Sequence, residues 1–441
     1  MKKTTVLVLI IAMIIGTFNI HGVNVHAYDN AGLTEKPEDI IEGTFTYMPA
    51  FSPACEETFY YSDSYFSQSG TVYNEHLLSM SLCLELSTFQ IRGDSWVRKM
   101  YEDIGFTDIE TMDMTDGGTP DTIGTAIAHK KINDHDVVAI AIRGEKYEQE
   151  WVSNFIAGLS GDANGFADAA QKVNDRIKDY IDNHNLDKVK IWMTGYSRSG
   201  SVADLSGAYI NNHLNDYNTT ADDIYIYMFE TPNCSLDSTV YDNMYDVINP
   251  NDLIPNFYSE VWGFSKNGKR VEITESSTIM TYCGMPGERE YGEVLTSDFV
   301  KETVDWLSTR LTRDNYANNL QEPLGFMLNL ILSKTEEEQA AIKDYFLNVF
   351  NPCFAEYREE NPEFTDLLNL MTEHESEFYY NKLADIFVFI LDTSKERCDE
   401  FPFTEEDFEK VKSYIIPIIK VLAPIAVDDF YYYPGRDYDE F

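Results

Sequence analysis

A chain of 441 residues, 44% hydrophobic and 14% aromatic, holds ample material for a large core, in one domain with insertions or in two ordinary ones. Its formal net charge of -42 repels phosphate backbones and anionic lipid, which excludes nucleic acid and acidic membranes as electrostatic partners. The acidity reads as a solvated surface, since no Asp-x-Asp-x-Asp-Gly calcium loop is present.

The chain opens with Met-Lys-Lys, continues through the apolar run Val6 to Ile15 and reaches Val25-His26-Ala27, a small-x-small end. This predicts a secretory signal peptide over residues 1–27, with export of Gram-positive type and a mature chain that is extracellular. Ile415 to Val427 is the nearest later approach to a membrane span, and Pro417, Lys420 and Pro424 interrupt it, so no stable membrane anchor is expected. Cys55, Cys83, Cys234, Cys283, Cys353 and Cys398 are widely spaced without a Cys-x-x-Cys, which leaves their pairing open and is compatible with buried thiols.

Asn74 is placed to cap a helix with Leu77, Leu78, Leu82 and Leu86 on one face. Thr125 to Ile132 alternates as a strand, Asn133 to Asp136 reads as a turn, and Val137 to Ile142 is an apolar run suited to a strand buried on both faces. Ala170, Val173, Ile177 and Ile181 mark a helix between residues 165 and 184, and strands follow at Lys188 to Met193, Ile224 to Phe229 and Tyr245 to Asn249. Alternating strands and helices predict an α/β fold with a mainly parallel sheet covered on both faces, whose ligands bind beyond the carboxyl ends of the strands. From about residue 285 the pattern turns helical, with a capping box at Thr335 to Glu338 and a further helix after Thr404. The expected organisation is a core over 28–285, a helical insertion, lid or cap over 286–370, and a last segment, 371–441, carrying a histidine and C-terminal helices.

The most informative stretch is Lys188-Val-Lys-Ile-Trp-Met-Thr-Gly-Tyr-Ser-Arg-Ser-Gly200, an apolar strand running into a sharp turn and then a helix rich in small residues. A serine at the tip of such a turn is pushed out of the fold on a strained backbone, as a hydrolytic nucleophile requires; Ser197 is that serine. A serine nucleophile needs a base, an acid to orient the base, and donors for an oxyanion. Asp252, in Val247-Ile-Asn-Pro-Asn-Asp-Leu-Ile-Pro255, stands just past a strand two strands after the elbow, although an Asx turn would use the same residues. Of the two histidines that follow Ser197, His213 lies about 24 Å down the elbow helix at 1.5 Å per residue, which leaves His374 as the base by elimination. The backbone amide of Arg198 is the first oxyanion donor, and Gly144 or Glu145, after the strand ending at Ile142, supplies the second. Trp151 and Asn154 are placed to brace that loop. This chemistry calls for no metal and no cofactor.

Taken in order, Ile142-Arg-Gly144 with Trp151 and Asn154, Thr194-Gly-Tyr-Ser-Arg-Ser-Gly200, Tyr227-Met-Phe-Glu-Thr-Pro232 and Asn251-Asp-Leu-Ile-Pro255 resemble the motifs of the fungal-type, class 3 lipases. The chain looks most like the secreted lipase-like proteins of Gram-positive bacteria, in which a histidine precedes a Tyr-containing helix as His374 precedes Phe378-Tyr-Tyr380. The resemblance implies an α/β-hydrolase fold with a Ser197, Asp252, His374 triad acting on a lipid or other small ester. It departs at Ser199, which replaces a glycine, at Glu145, where Ser or Thr is usual, and in the long insertion between acid and base. The departures motivate an alternative, a hydrolase-fold binding or surface protein with little turnover. Oligomeric state is left open.

Overall fold

A computed structural model describes residues 39–48, 54–90, 93–114, 122–144, 148–249, 252, 254–272, 304, 308–332, 334–363 and 377–431. These fall into two compact units, one extending to Trp306 and one beginning at Leu307.

The first unit opens with an antiparallel pair, β1 (Ile41–Tyr47) and β2 (Cys55–Tyr61), in which Phe45, Tyr47, Phe59 and Tyr61 alternate into the core. Helices α1 (Glu75–Leu86) and α2 (Ser95–Asp103) follow, and Asn74 caps α1 by accepting from the amides of His76 and Leu77. The main sheet has the order β3-β4-β5-β6-β7-β8-β9, built from Thr107–Met112, Thr125–Ile132, His135–Ile142, Val189–Tyr196, Ile224–Phe229, Tyr241–Ile248 and Gly268–Glu272. Its first three strands are antiparallel and those from β5 to β9 are parallel. The β4-β5 hairpin closes through Asn133 and Asp134, tighter than the four-residue turn the sequence suggests, because Asn133 takes a left-handed conformation (φ 54°).

Helices α3 (Asn164–His184) and α4 (Arg198–Asn212) complete the layers. The period of two in the strands decides which helix meets which face. Trp192 packs under α1, its indole N–H donating to Ser81 Oγ at 2.8 Å, whereas Ile226 and Met244 point the other way and lie against Gly207 of α4. Buried Asp204 of α4 accepts from the amides of Asn267 and Gly268, tying β9 to the layer that carries the elbow helix. The expected strands and the helix over 165–184 are present, with β8 starting four residues ahead of Tyr245. Edge strands β3 and β9 and the β1-β2 pair carry too much polar sequence to stand out by periodicity.

The second unit is helical. Thr335 and Glu338 form the expected capping box on Glu336–Tyr345, which continues through a π-helical turn, Phe346–Phe350, into Asn351–Glu360. Pro352, which lacks an amide hydrogen, follows the wider turn directly, as expected where a helical bond is lost. Helices Glu377–Glu396 and Glu405–Tyr431 pack through Leu383, Ala384 and Ile419, and the Tyr345 hydroxyl meets Ser394 Oγ at 2.6 Å. No helix among the described residues is long and apolar enough to cross a membrane. Cys83, Cys234 and Cys353 are buried thiols.

Trp192 is wholly buried and touches Tyr61, Phe66 and Phe106. Trp192→Phe is therefore expected to cost about 1–3 kcal/mol in urea unfolding of the first unit, through lost area and the lost bond to Ser81.

Candidate active site

The elbow follows from local sterics. Ser197 has φ 55° and ψ -117°, a conformation that non-glycine residues rarely adopt, and it stands between the end of β6 and the start of α4. Its amide donates to Phe229 O at 2.8 Å, so the turn is held by the neighbouring strand. A side chain at Gly195 would come within 2.3 Å of Ser199 O, and one at Gly144 within 2.2 Å of Tyr196 O, so both positions require glycine by close approach.

The departure at Ser199 has a structural role. Ser199 Oγ accepts from the Tyr196 amide at 2.8 Å and lies 3.1 Å from Glu85 Oε1, so it closes the elbow and joins it to α1. Glu85 is wholly buried; burial drives its carboxyl well above the ordinary range, against the lowering effect of Ser199, the Gly144 and Tyr196 amides and Arg143. A buried acid thus sits beneath the Ser197 turn and the loop after β5. The Gly144 amide is directed at it, and Glu145 lies outside the described residues.

A second buried cluster joins the same two segments. Arg143 donates to Glu150 Oε1 at 2.7 Å and to Asp113 O at 2.7 Å, and Thr122 Oγ1 reaches Glu150 at 2.9 Å. Arg198, the residue after the nucleophile, places its guanidinium 3.7 Å from Glu150 Oε2 and donates to Ser153 Oγ at 3.0 Å and Thr122 O at 3.1 Å. Two guanidiniums share one carboxylate, which leaves a surplus positive charge behind the elbow, the sign that favours a developing oxyanion.

Asp252 lies past the end of β8, at the sheet edge where β6 delivers Ser197. Its Oδ1 accepts from the Ile254 amide at 2.9 Å, so the Asx turn that competes with the catalytic reading is present and orients the carboxylate. Glu230, within Tyr227-Met-Phe-Glu-Thr-Pro232, carries no local sequence signal of a role; it is buried beyond β7 in a left-handed conformation (φ 50°). Burial and then the charge of Asp252 push its carboxyl well above the usual range, and Oε1 accepts from the Asn249 amide at 2.8 Å. A Glu230 that holds its proton presents no like charge to Asp252.

His374 lies outside the described residues. His213 stacks on Tyr209 at the far end of α4, with Nδ1 2.7 Å from Tyr209 O. His76 stacks on Tyr65 near the start of α1, and His129, His135 and His184 lie on β4, β5 and the end of α3. Among the described residues, His213 caps the elbow helix at the end opposite Ser197. Asn154 braces its loop through its carbonyl, which accepts from Tyr258 OH at 2.8 Å.

Residues 139–262, which span the strand before the oxyanion loop, the elbow and the Asp252 turn, match the family model of the class 3 lipases. Over that span the chain is class 3 lipase-like. Similar solved structures include a fungal lipase in complex with an inhibitor, at 13% identity, covering 44% of this chain and 78% of that one with a TM-score of 0.34. A triacylglycerol lipase with a serine protease triad is 16% identical, with coverage of 46% and 82% and a TM-score of 0.35. A Rhizomucor miehei lipase in its propeptide complex is 15% identical, with coverage of 46% and 67% and a TM-score of 0.34. No curated protein matches the chain. The lipase-like span holds Ser197, Arg198, Gly144, Glu150, Glu230 and Asp252, whereas Glu85 precedes it and was hidden among ordinary helix residues.

Because Glu85 and Glu230 have raised folded-state values, the folded protein keeps protons that the unfolded chain releases above about pH 4.5. Their contribution to stability is therefore fullest in mild acid and declines as pH rises toward the folded values. Glu85→Gln, which mimics the protonated carboxyl, is expected to keep ester turnover within about threefold of wild type and to flatten that decline in chemical unfolding from pH 5 to 8. Glu85→Ala, which strips Ser199 and the Gly144 amide of their partner, is expected to lose about 1–3 kcal/mol and most of the turnover.

Proposed function

We propose that the protein is a secreted serine hydrolase of carboxylic esters, acting through Ser197, His374 and Asp252. Ser197 Oγ attacks the ester carbonyl carbon as its proton passes to the imidazole of His374, and the carbonyl electron pair moves onto oxygen. The tetrahedral intermediate collapses, the alcohol leaves with the proton from His374, and an acyl-enzyme remains. Water, deprotonated by the same imidazole, then releases the carboxylic acid and restores Ser197. Asp252 holds the imidazolium. The Arg198 amide is one oxyanion donor, and the amide of Gly144 or Glu145 is the other.

The observation that carries this reading is the strained Ser197, held at φ 55° between a buried strand and a helix start with a buried cationic cluster behind it. The class 3 lipase match over residues 139–262 supports an ester substrate. Leu159, Leu236 and Val261 are exposed in the same unit, and the Leu236 amide donates to Asp162, which joins the segments of the first two. Exposed apolar side chains suit an acyl chain better than a peptide.

A fluorophosphonate probe is expected to label wild type once per chain and Ser197→Ala not at all. Absence of labelling in wild type, or equal labelling of the alanine variant, would turn the reading toward a binding protein. On p-nitrophenyl esters, His374→Ala and Asp252→Asn are each expected to lower kcat by about 10³-fold or more, while His213→Ala leaves it within about twofold. Loss on His213→Ala with retention on His374→Ala would show that the base is elsewhere.

A further inference from the structure

At the other end of the sheet, a cluster plays no part in ester hydrolysis. His129 of β4, His184 at the close of α3 and Asp108 of β3 each offer one ligand atom, and the three atoms lie within 4.8 Å of one another. Across the sheet, His129 pairs with Val138 in the antiparallel β4-β5 ladder and Val138 with Ile191 in the parallel β5-β6 ladder, six residues before Ser197, which puts the cluster about 20 Å from the elbow in the strand direction. It therefore belongs to a different function.

Its parts are held as ligands are. A register shift in β3 between Thr107 and Glu110 coincides with Asp108 in the left-handed region (φ 52°), and such a bulge re-aims a side chain. Asp108 Oδ2 lies 3.8 Å from His129 Nε2, and Thr107 Oγ1 donates to the same carboxylate at 2.9 Å. Tyr180 OH donates to the carbonyl of Asp108 at 2.8 Å, which can only accept. The hydroxyl oxygen, 2.9 Å from His129 Nδ1, is then left to accept, so Nδ1 carries the proton and Nε2 presents a lone pair toward Asp108. This is the outer-shell arrangement that fixes the tautomer of a metal-bound histidine. Glu110 adds a second carboxylate, with Oε1 3.1 Å from His184 Nε2.

We propose that His129, His184 and Asp108, with Glu110 beside them, form a binding site for a divalent zinc-type cation that clamps the β3-β4 edge to the end of α3. Ligands about 2.0–2.2 Å from a tetrahedral ion stand roughly 3.3–3.5 Å apart, so the Asp108 to His129 and Glu110 to His184 separations are already near that value. Among Asp108, His129 and His184 no ligand atom is more than 4.8 Å from another, so closing on the ion asks for a shift of ~1–1.5 Å at most, within reach of an Asp108 carboxylate that is about half exposed. Two imidazoles select zinc over calcium or magnesium, which take oxygen ligands.

The test uses the full chain, stripped with a chelator and titrated with Zn2+ by calorimetry. Wild type is expected to bind one ion per chain and to gain roughly 5 °C in Tm at a hundredfold excess over Kd. The double variant His129→Ala, His184→Ala is expected to bind at least about a hundredfold more weakly, and Tyr180→Phe about tenfold more weakly. Far-UV circular dichroism and fluorophosphonate labelling at Ser197 check that each variant is folded. Cobalt absorption is expected to show a tetrahedral spectrum without a thiolate band, because no cysteine belongs to the set. No binding by wild type, equal affinity in the folded double variant, or a strong thiolate band would each overturn the proposal.

Discussion

One buried acid, Glu150, fastens the Ser197 turn to the end of β5. It receives Arg143 from the end of β5 and Arg198 from the start of α4, so the oxyanion loop and the nucleophile turn are fastened to a single point. Burying two guanidiniums with one acid is costly unless nearly every donor is matched, and Thr122, Ser153 and the carbonyls of Asp113 and Thr122 supply most of the remaining partners. The arrangement contributes geometry more than stability. It fixes the separation of the loop after β5 and the Ser197 turn.

The elbow depends on this anchoring. A φ of 55° at Ser197 is unfavourable by itself and persists only because flanking contacts over-determine it. Those contacts come from three directions: β7 through Phe229 O, α1 through Glu85 and Ser199, and the Glu150 cluster through Arg198. Serine in place of the motif's glycine at residue 199 thus becomes intelligible. Its hydroxyl closes the turn on Tyr196 and gives the buried Glu85 a partner, two bonds that a glycine cannot make.

The parts legible in the sequence were those governed by short-range pattern. Ile224 to Phe229 is a strand because six consecutive large apolar residues admit burial on both faces, and Asn74 and Thr335 cap helices because their side chains reach amides two or three residues on. The elbow showed itself through Gly195, Ser197 and the small residues after them. What stayed hidden depends on distant pairing. Glu85, Glu150 and Glu230 look like surface acids in a chain of this charge, and only the fold shows that they are enclosed. Strand β3, Thr-Asp-Ile-Glu-Thr-Met, is half polar because it forms a sheet edge, so its periodicity is weak.

The same long-range logic unites the two ends of the sheet through α3. Near its middle, Arg176 donates to Thr125 Oγ1 at 3.1 Å and also to the Ile123 carbonyl, holding the stretch that leads from Thr122 into β4. One to two turns later, Tyr180 and His184 meet His129 and Asp108 at the opposite end of β4. The β3-β4 edge is antiparallel and lies outside the parallel strands that bury the largest apolar runs, so it relies on such polar attachments to stay in register. Thr122 at the start of this edge bonds to Glu150 and Arg198. Thr122, which bonds the acid behind the elbow, and His129 are therefore carried by one strand and its lead-in, and α3, which touches that strand through Arg176 and Tyr180, keeps it in place.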